Sequence, residues 1–210
     1  MSISVNTLPL GLMRANCYIV TIPGTDCALV VDPGEYSQKL RNRLKELGIK
    51  RLEYILLTHA HFDHMTGADA LRSDYCGKIV IHASDEAYLA DENASLSCIL
   101  RKPFVPISAD IVVSDSDSLD FGPEKIKVIH TPGHTPGSVC YLIGDNLFSG
   151  DTLFRLMAGR TDFPGGSEAQ MTESMRKLKS LPDNLKVYPG HDSATELAFE
   201  KKKNPFMKGL

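Results

Sequence analysis

Thr58-His59-Ala60-His61-Phe62-Asp63-His64 follows directly on the apolar run Tyr54-Ile55-Leu56-Leu57. Four side chains that bind metals, His59, His61, Asp63 and His64, fall within six positions. Imidazole and carboxylate are the usual ligands of zinc and similar divalent ions. Packed on one short turn, they would repel one another or sit unsatisfied unless a cation lay among them. Two cations account for the density better than one. The apolar run reads as a strand, so the cluster sits where a rigid sheet ends, a common place for active sites. The expectation is a hydrolytic metalloenzyme.

Downstream, three more candidate ligands stand at strand-to-loop junctions: His134 in Thr131-Pro132-Gly133-His134, Asp151 in Ser149-Gly150-Asp151, and His191 in Pro189-Gly190-His191. Each follows a glycine, which lets the backbone turn sharply and present the next side chain. A lone loop histidine is ordinarily structural or solvated, and His82 and His130 are read that way. Beside a dense half-site, the Gly-His and Gly-Asp turns become its completions.

Around these motifs the pattern alternates strand and helix. Cys17 to Ile22, Ala28 to Val31 and Arg51 to Leu57 read as strands, with a helix over Ser37 to Leu47 carrying Leu40, Leu44 and Leu47 at helical spacing. A helix starts at Gly67 to Leu71, a strand covers Lys78 to His82, and Ser84 caps a helix to Ala90. Pro103 and Pro106 make Glu92 to Ala109 irregular. Strands follow at Lys125 to Ile129, Ser138 to Ile143 and Asn146 to Phe148, the last two joined by a tight Gly144-Asp145 turn. A helix at Glu168 to Leu178, a strand at Lys186 to Tyr188 and a helix from about Thr195 end the chain.

The 210 residues, 42% hydrophobic, suit one α/β domain or a two-sheet sandwich. A formal charge of −3 favours neither nucleic acid nor an acidic membrane, and Lys201-Lys202-Lys203 reads as a solvated helix face. The five cysteines, Cys17, Cys27, Cys76, Cys98 and Cys140, form no C-x-x-C pair and read mostly as buried, inert thiols. That fits a reducing cytosol. Met1 to Asn6 lacks the basic lead of a signal peptide, and no apolar run reaches the ~18–20 residues of a membrane span. The expectation is a soluble cytoplasmic protein acting on a small molecule, with no nucleic-acid or membrane partner.

The H-x-H-x-D-H run, Gly-His turn, Gly-Asp turn and final Gly-His turn come in the order found in metallo-β-lactamase-fold hydrolases, and the chain resembles that family from about Asn16 to Pro205. Carried onto matching positions, the resemblance implies one metal at His59, His61 and His134 and another at Asp63, His64 and His191, with Asp151 bridging. Asp32 matches the family's first motif and is implied to orient the ligand loop without binding metal. The implied fold is α/β, an αββα sandwich of two mixed sheets face to face with helices outside, as a single domain over 1–210. The implied cofactors are two divalent ions, zinc first, with iron or manganese as alternatives. Two such ions ~3.5–4 Å apart share a water, lower its pKa towards ~7 and polarise a carbonyl. No Ser or Cys nucleophile is then needed, and Asp63 is a candidate proton shuttle.

Within the superfamily the chain looks most like small glyoxalase II-like thioesterases. Asp151 separates it from the β-lactamases proper, and Gly159-Arg160-Thr161-Asp162-Phe163-Pro164-Gly165-Gly166 resembles the short bacterial branch. A bridging hydroxide would cleave a thioester, such as an S-acyl-glutathione. The chain departs from the larger enzymes in having no additional C-terminal glutathione-binding domain, Ser193 in place of a Tyr, and Asp162 in place of another. Arg160 stands where they carry a glutathione-contacting Lys. It is read either as a clamp for a substrate carboxylate or as the partner of a local Asp. Two rivals stand beside this reading. One is a mononuclear iron persulfide dioxygenase, which the chain also resembles, with iron on His59, His134 and Asp151. The other is a non-catalytic metal-binding protein.

Overall fold

Strands β2 (Ala15–Thr21) and β3 (Cys27–Val31) pair antiparallel and are buried on both faces, apart from Thr21. Both are rich in Val, Ile, Leu and Cys without strict polar alternation, the pattern of strands covered on two sides. Alternate residues serve different cores. Cys17, Ile19, Ala28 and Val30 face helices, whereas Tyr18, Val20, Leu29 and Val31 face a second sheet.

The computed structural model describes residues 3–210; Met1 and Ser2, at the start of the stretch read as lacking a signal peptide, lie outside it. The first sheet has the order β1 (Ser4–Leu10), β2, β3, β4 (Arg51–Leu56), β5 (Lys78–His82) and β6 (Ile111–Val113). It is antiparallel as far as β3 and parallel from β3 to β6. In the second sheet β7 (Ser118–Phe121), β8 (Glu124–His130), β9 (Val139–Ile143) and β10 (Asn146–Gly150) run antiparallel in sequence. β11 (Leu153–Phe154) and β12 (Met157–Ala158) form a separate hairpin. β13 (Lys186–Pro189) then adds to β10 in parallel, and β14 (Thr195–Glu196) closes the edge. The architecture is the expected αββα sandwich of two mixed sheets.

Helices cover both outer faces. On the first sheet, α1 (Gln38–Glu46) buries Leu40 and Leu44, with Ser37 capping its start. The short α2 (Phe62–Met65) carries part of the ligand cluster, and α3 (Ala68–Tyr75) packs Ala68 and Leu71 beside it. On the second sheet, α4 (Glu168–Lys179) buries Met171, Ser174, Met175 and Leu178 at i, i+3, i+4, i+7. α5 (Leu197–Lys203) and α6 (Pro205–Lys208) complete that layer through Leu197 and Met207. Among the described residues no helix is long and apolar enough to cross a membrane.

Several readings need correction. Ala83–Ala90 is a 3-10 helix capped by the His82 imidazole, which accepts from the Ser84 amide, so Ser84 is not the cap. The last long helix starts at Leu197, because Thr195 and Glu196 pair with β13. The cysteines are mostly buried, as read: Cys17, Cys27 and Cys140 are buried, while Cys76 and Cys98 are exposed. Edge strands β1, β6 and β7 have no counterpart among the expected strands. They are partly exposed, and β1 contains Pro9, which only an edge or strand end tolerates.

Candidate active site

Every expected ligand leaves the end of a strand on one rim of the sandwich. β4 delivers His59, His61, Asp63 and His64; the loops after β8, β10 and β13 deliver His134, Asp151 and His191. The structure brings all seven together. The ligand atoms of His59, His61 and His134 lie within 4.8 Å of one another, as do those of His59, His64 and Asp151, and those of Asp63, His64 and His191. Asp151 sits between the halves, with Oδ2 3.5 Å from His134 Nε2 and 3.6 Å from His191 Nε2, and Oδ1 3.5 Å from His64 Nε2.

Asp32 lies beneath, in a left-handed backbone conformation at the end of β3. Its Oδ1 accepts from the Thr58 amide at 2.8 Å, and its Oδ2 accepts from Thr58 Oγ1 at 2.6 Å and from His64 Nδ1 at 3.0 Å. Because Thr58 Oγ1 gives its only hydrogen to Asp32, it must accept from His59 Nδ1, 3.1 Å away. The Arg160 carbonyl likewise accepts from His134 Nδ1 at 2.8 Å. His59, His64 and His134 thus carry hydrogen on Nδ1 and turn their Nε2 atoms inward, as ligation requires.

His61 points the other way, with Nδ1 2.9 Å from His134 Nε2. Two ring nitrogens that close repel unless a proton or a cation is shared. Buried Nε2 of His59 and His64 and Oδ1 of Asp151 have no hydrogen-bond partner at all. Buried polar atoms are rarely left so. The donor set and its orphaned atoms therefore fit divalent cations.

The charges point the same way. Burial, reinforced by His64 and His61, pushes the His59 imidazole well below its ordinary range. Burial, with His134 and His64, takes His61 down to about 3. His64 goes the other way: burial opposes its charge, but Asp63, Asp151 and Asp32 outweigh that and lift it to about 10. Burial would raise Asp63, yet His64 and His191 hold it below the carboxylate range. Without metal the site holds a proton on His64 where a cation would otherwise balance the carboxylates.

Residues with no motif to announce them fix this geometry. Buried Asp85 accepts from Ala60 N at 3.1 Å, Thr135 Oγ1 at 2.7 Å and Gly137 N at 2.6 Å, and so ties the His59–His64 loop to the His134 loop. Asn16 Nδ2 and Tyr18 Oη donate to the Pro189 carbonyl at 3.0 and 2.5 Å, and Asn16 N donates to Gly190 O at 2.7 Å, which sets His191. In sequence these look like an acid in a first helical turn and two strand residues. Gly190 is required for space: a Cβ there would fall on the Asp151 carboxylate and the His64 ring. Gly150 needs both space, against Thr58, and its positive φ of 47°.

His82 and His130 stay out of the cluster and stack on each other at 3.9 Å. Arg160 reaches the mouth, but its Nε and Nη2 both donate to Asp162 at 2.7 Å and its guanidinium lies 4.0 Å over the Phe163 ring. The buried Cys17 and Cys140 thiols are pushed up by burial, Cys140 to about 12, so neither is a nucleophile. A cavity of about 720 Å³ opens over the cluster, with His61, Asp63, His134, Asp151 and His191 on its floor.

The Metallo-beta-lactamase superfamily matches this sequence over residues 10–191, and the chain belongs to that superfamily. It is 37% identical over 207 residues, covering 97% of both chains, to the probable metallo-hydrolase YqgX of Bacillus subtilis (strain 168). The hydroxyacylglutathione hydrolase GloC of Haemophilus influenzae (strain ATCC 51907 / DSM 11121 / KW20 / Rd) is 29% identical, covering 97% of this chain and 98% of its own. Among solved structures, the BLEG-1 B3 metallo-beta-lactamase superposes with a TM-score of 0.89 at 35% identity, covering 98% of this chain and 100% of that one. TTHA1623 in a di-iron-bound form gives 0.81 at 33%, covering 96% and 100%. Family and site together make the chain a metal-dependent hydrolase with a His/Asp cluster suited to two metals.

Proposed function

We propose that the chain hydrolyses a thioester at a dinuclear centre, zinc being the first candidate metal. His59, His61 and His134 would hold one ion, Asp63, His64 and His191 the other, with Asp151 between. Two bound divalent ions lower the pKa of a shared water and polarise the scissile carbonyl. The chain's own part is orientation. Asp32, Thr58 and the Arg160 carbonyl fix which ring nitrogen of His64, His59 and His134 is bare. Asp63 is the expected proton shuttle, but a carboxylate held so low takes a proton only in passing; we assign it to ligation first. Water oxygen would add to the acyl carbon, its protons passing to solvent through the open cavity, and the C–S bond would break with its electron pair leaving on sulfur, giving a carboxylate and a thiolate. A thiolate of pKa ~8.5 leaves without a strong general acid, and the cavity floor supplies none.

The observation that carries the reading is the convergence of seven ligands with orphaned, inward-facing atoms. A single iron on His59, His134 and Asp151 would leave His61, Asp63, His64 and His191 gathered to no purpose, which weighs against a persulfide dioxygenase. Similarity to GloC supports the thioester. The test is metal analysis of the purified chain coupled to a panel of glutathione, coenzyme A and simple thioesters, a β-lactam and a lactone. Two metals and thioester turnover are expected. One iron with thiol-dependent oxygen uptake, or turnover of the β-lactam alone, overturns the reading.

A further inference from the structure

The cavity over the cluster has walls of unusual composition. Its apolar lining includes Met13, Met157, Phe163, Met171, Met175 and Phe206, and its acids include Asp162, Glu168 and Asp192. Arg160 is the only Lys or Arg among the lining residues, and its planar fork is already filled by both oxygens of Asp162. A thiol carrier bearing carboxylates therefore meets no free cation on these walls. The apolar residues, by contrast, are offered to solvent: Met13 is 53% exposed, Met157 57% and Phe206 53%. Large apolar side chains clustered at a cavity mouth mark a binding surface, and methionine adapts to chains of varied shape.

This wall is built, not frayed. Fully buried Glu200 accepts from the Leu156 amide at 2.8 Å, which holds the β11–β12 hairpin that carries Met157. Fully buried Asn204 donates to the Met157 carbonyl at 3.1 Å and accepts from the Phe206 amide at 2.9 Å. Two buried polar side chains thus fix two exposed apolar ones on the same side of the cavity.

We infer that the cavity selects its substrate by an apolar acyl chain, lying against Met157, Phe163 and Phe206, and that carboxylates of the thiol carrier add nothing to recognition. The inference rests on the thioesterase reading above. Fully burying one methylene corresponds to about a fourfold gain in binding, so a half-open wall gives about two- to fourfold per methylene.

The metal-loaded chain is assayed with acetyl, butanoyl, hexanoyl and octanoyl thioesters of N-acetylcysteamine, which is neutral, and of glutathione. The expected result is a kcat/KM that climbs about two- to fourfold per methylene with little difference between the two thiols. Calorimetry with the matching non-hydrolysable S-alkyl thioethers is expected to show the same climb, with a negative heat-capacity change. Met157→Ser and Phe206→Ser, at exposed positions that leave the fold intact, are expected to lower the octanoyl-to-acetyl ratio several-fold. A flat series in turnover and binding, with thioesters still cleaved, overturns this inference alone. A preference above tenfold for the glutathione thioester at equal chain length overturns it as well. Progressive thioether binding with no thioester cleaved supports the apolar site and overturns the thioesterase reading.

Discussion

Asp32→Asn changes one atom yet reaches both halves of the site. The carboxylate accepts three hydrogens, from Thr58 N, Thr58 Oγ1 and His64 Nδ1. An amide can accept on only one of its two ends. If its oxygen stays on the Thr58 amide, its NH₂ faces Thr58 Oγ1 and His64. His64 must then accept on Nδ1 and carry its hydrogen on Nε2, where no cation can bind. Thr58 Oγ1 must also accept from the amide and pass its hydrogen to His59 Nδ1, which closes His59 Nε2 in turn. Outer-shell changes of this kind cost about 10- to 100-fold in metal affinity, and here one ligand is lost from each half. If the amide turns over, the Thr58 N–H is left buried against NH₂, an unsatisfied donor that costs roughly 1–3 kcal/mol of stability. Asparagine accepts the left-handed backbone at this position, so backbone strain does not confuse the result. Competition for zinc against a chromophoric chelator reads the affinity, and chelator-treated thermal melts read the stability. Thr58→Val serves as the partial case: it removes the hydroxyl's bonds to Asp32 and to His59 Nδ1 but keeps Asp32 on His64 Nδ1, so it weakens one ion. A D32N protein with both affinities and its metal-free stability unchanged would refute the tautomer argument.

Four other outcomes follow from the geometry of the site and its mouth. Loading metal near neutral pH should release at least one proton per chain, because His64 is held up at about 10 and must shed its Nε2 hydrogen; calorimetry in buffers of different ionisation enthalpy measures it. The same shift stabilises the metal-free protein fully below about pH 6.5, and that stability is lost as pH climbs through about 10, so chelator-treated melting temperatures should fall across that range while those of the loaded protein hold. Gly190→Ala places a methyl group on the Asp151 carboxylate and the His64 ring; metal content should drop while far-UV circular dichroism stays unchanged, and full loading would contradict the packing. Asp162→Ala should free the Arg160 guanidinium and lower KM for thioesters of carboxylate-bearing thiols, leaving neutral-thiol substrates alone.

The candidate site was legible because its chemistry is written in short motifs. His59 to His64 crowd one turn, and His134, Asp151 and His191 each follow a glycine. The central strands β2 and β3 were legible because burial on both faces demands apolar runs, and β4 because its second half, Tyr54 to Leu56, turns apolar just before the ligand cluster. Apart from Asp32, what holds the site was not legible. Asp85, Asn16, Glu200 and Asn204 act through contacts between distant segments, such as Asp85 with Ala60 and Gly137, and no local pattern marks an acid that will be buried. Edge strands β1 and β7 are obscure for the opposite reason: a strand paired on one side tolerates polar residues and proline; β6, Ile111 to Val113, is apolar but only three residues long. Arg160 had two readings of equal standing, and only the placement of Asp162 and Phe163 around it shows where its charge goes.

Anomalous diffraction from crystals of the metal-loaded chain tests the central claim most directly. The account predicts two peaks, one within about 2.0–2.2 Å of nitrogen atoms of His59, His61 and His134, the other at that distance from Asp63, His64 and His191, with Asp151 reaching both. A single peak on His59, His134 and Asp151, with the remaining histidines unligated, would contradict it.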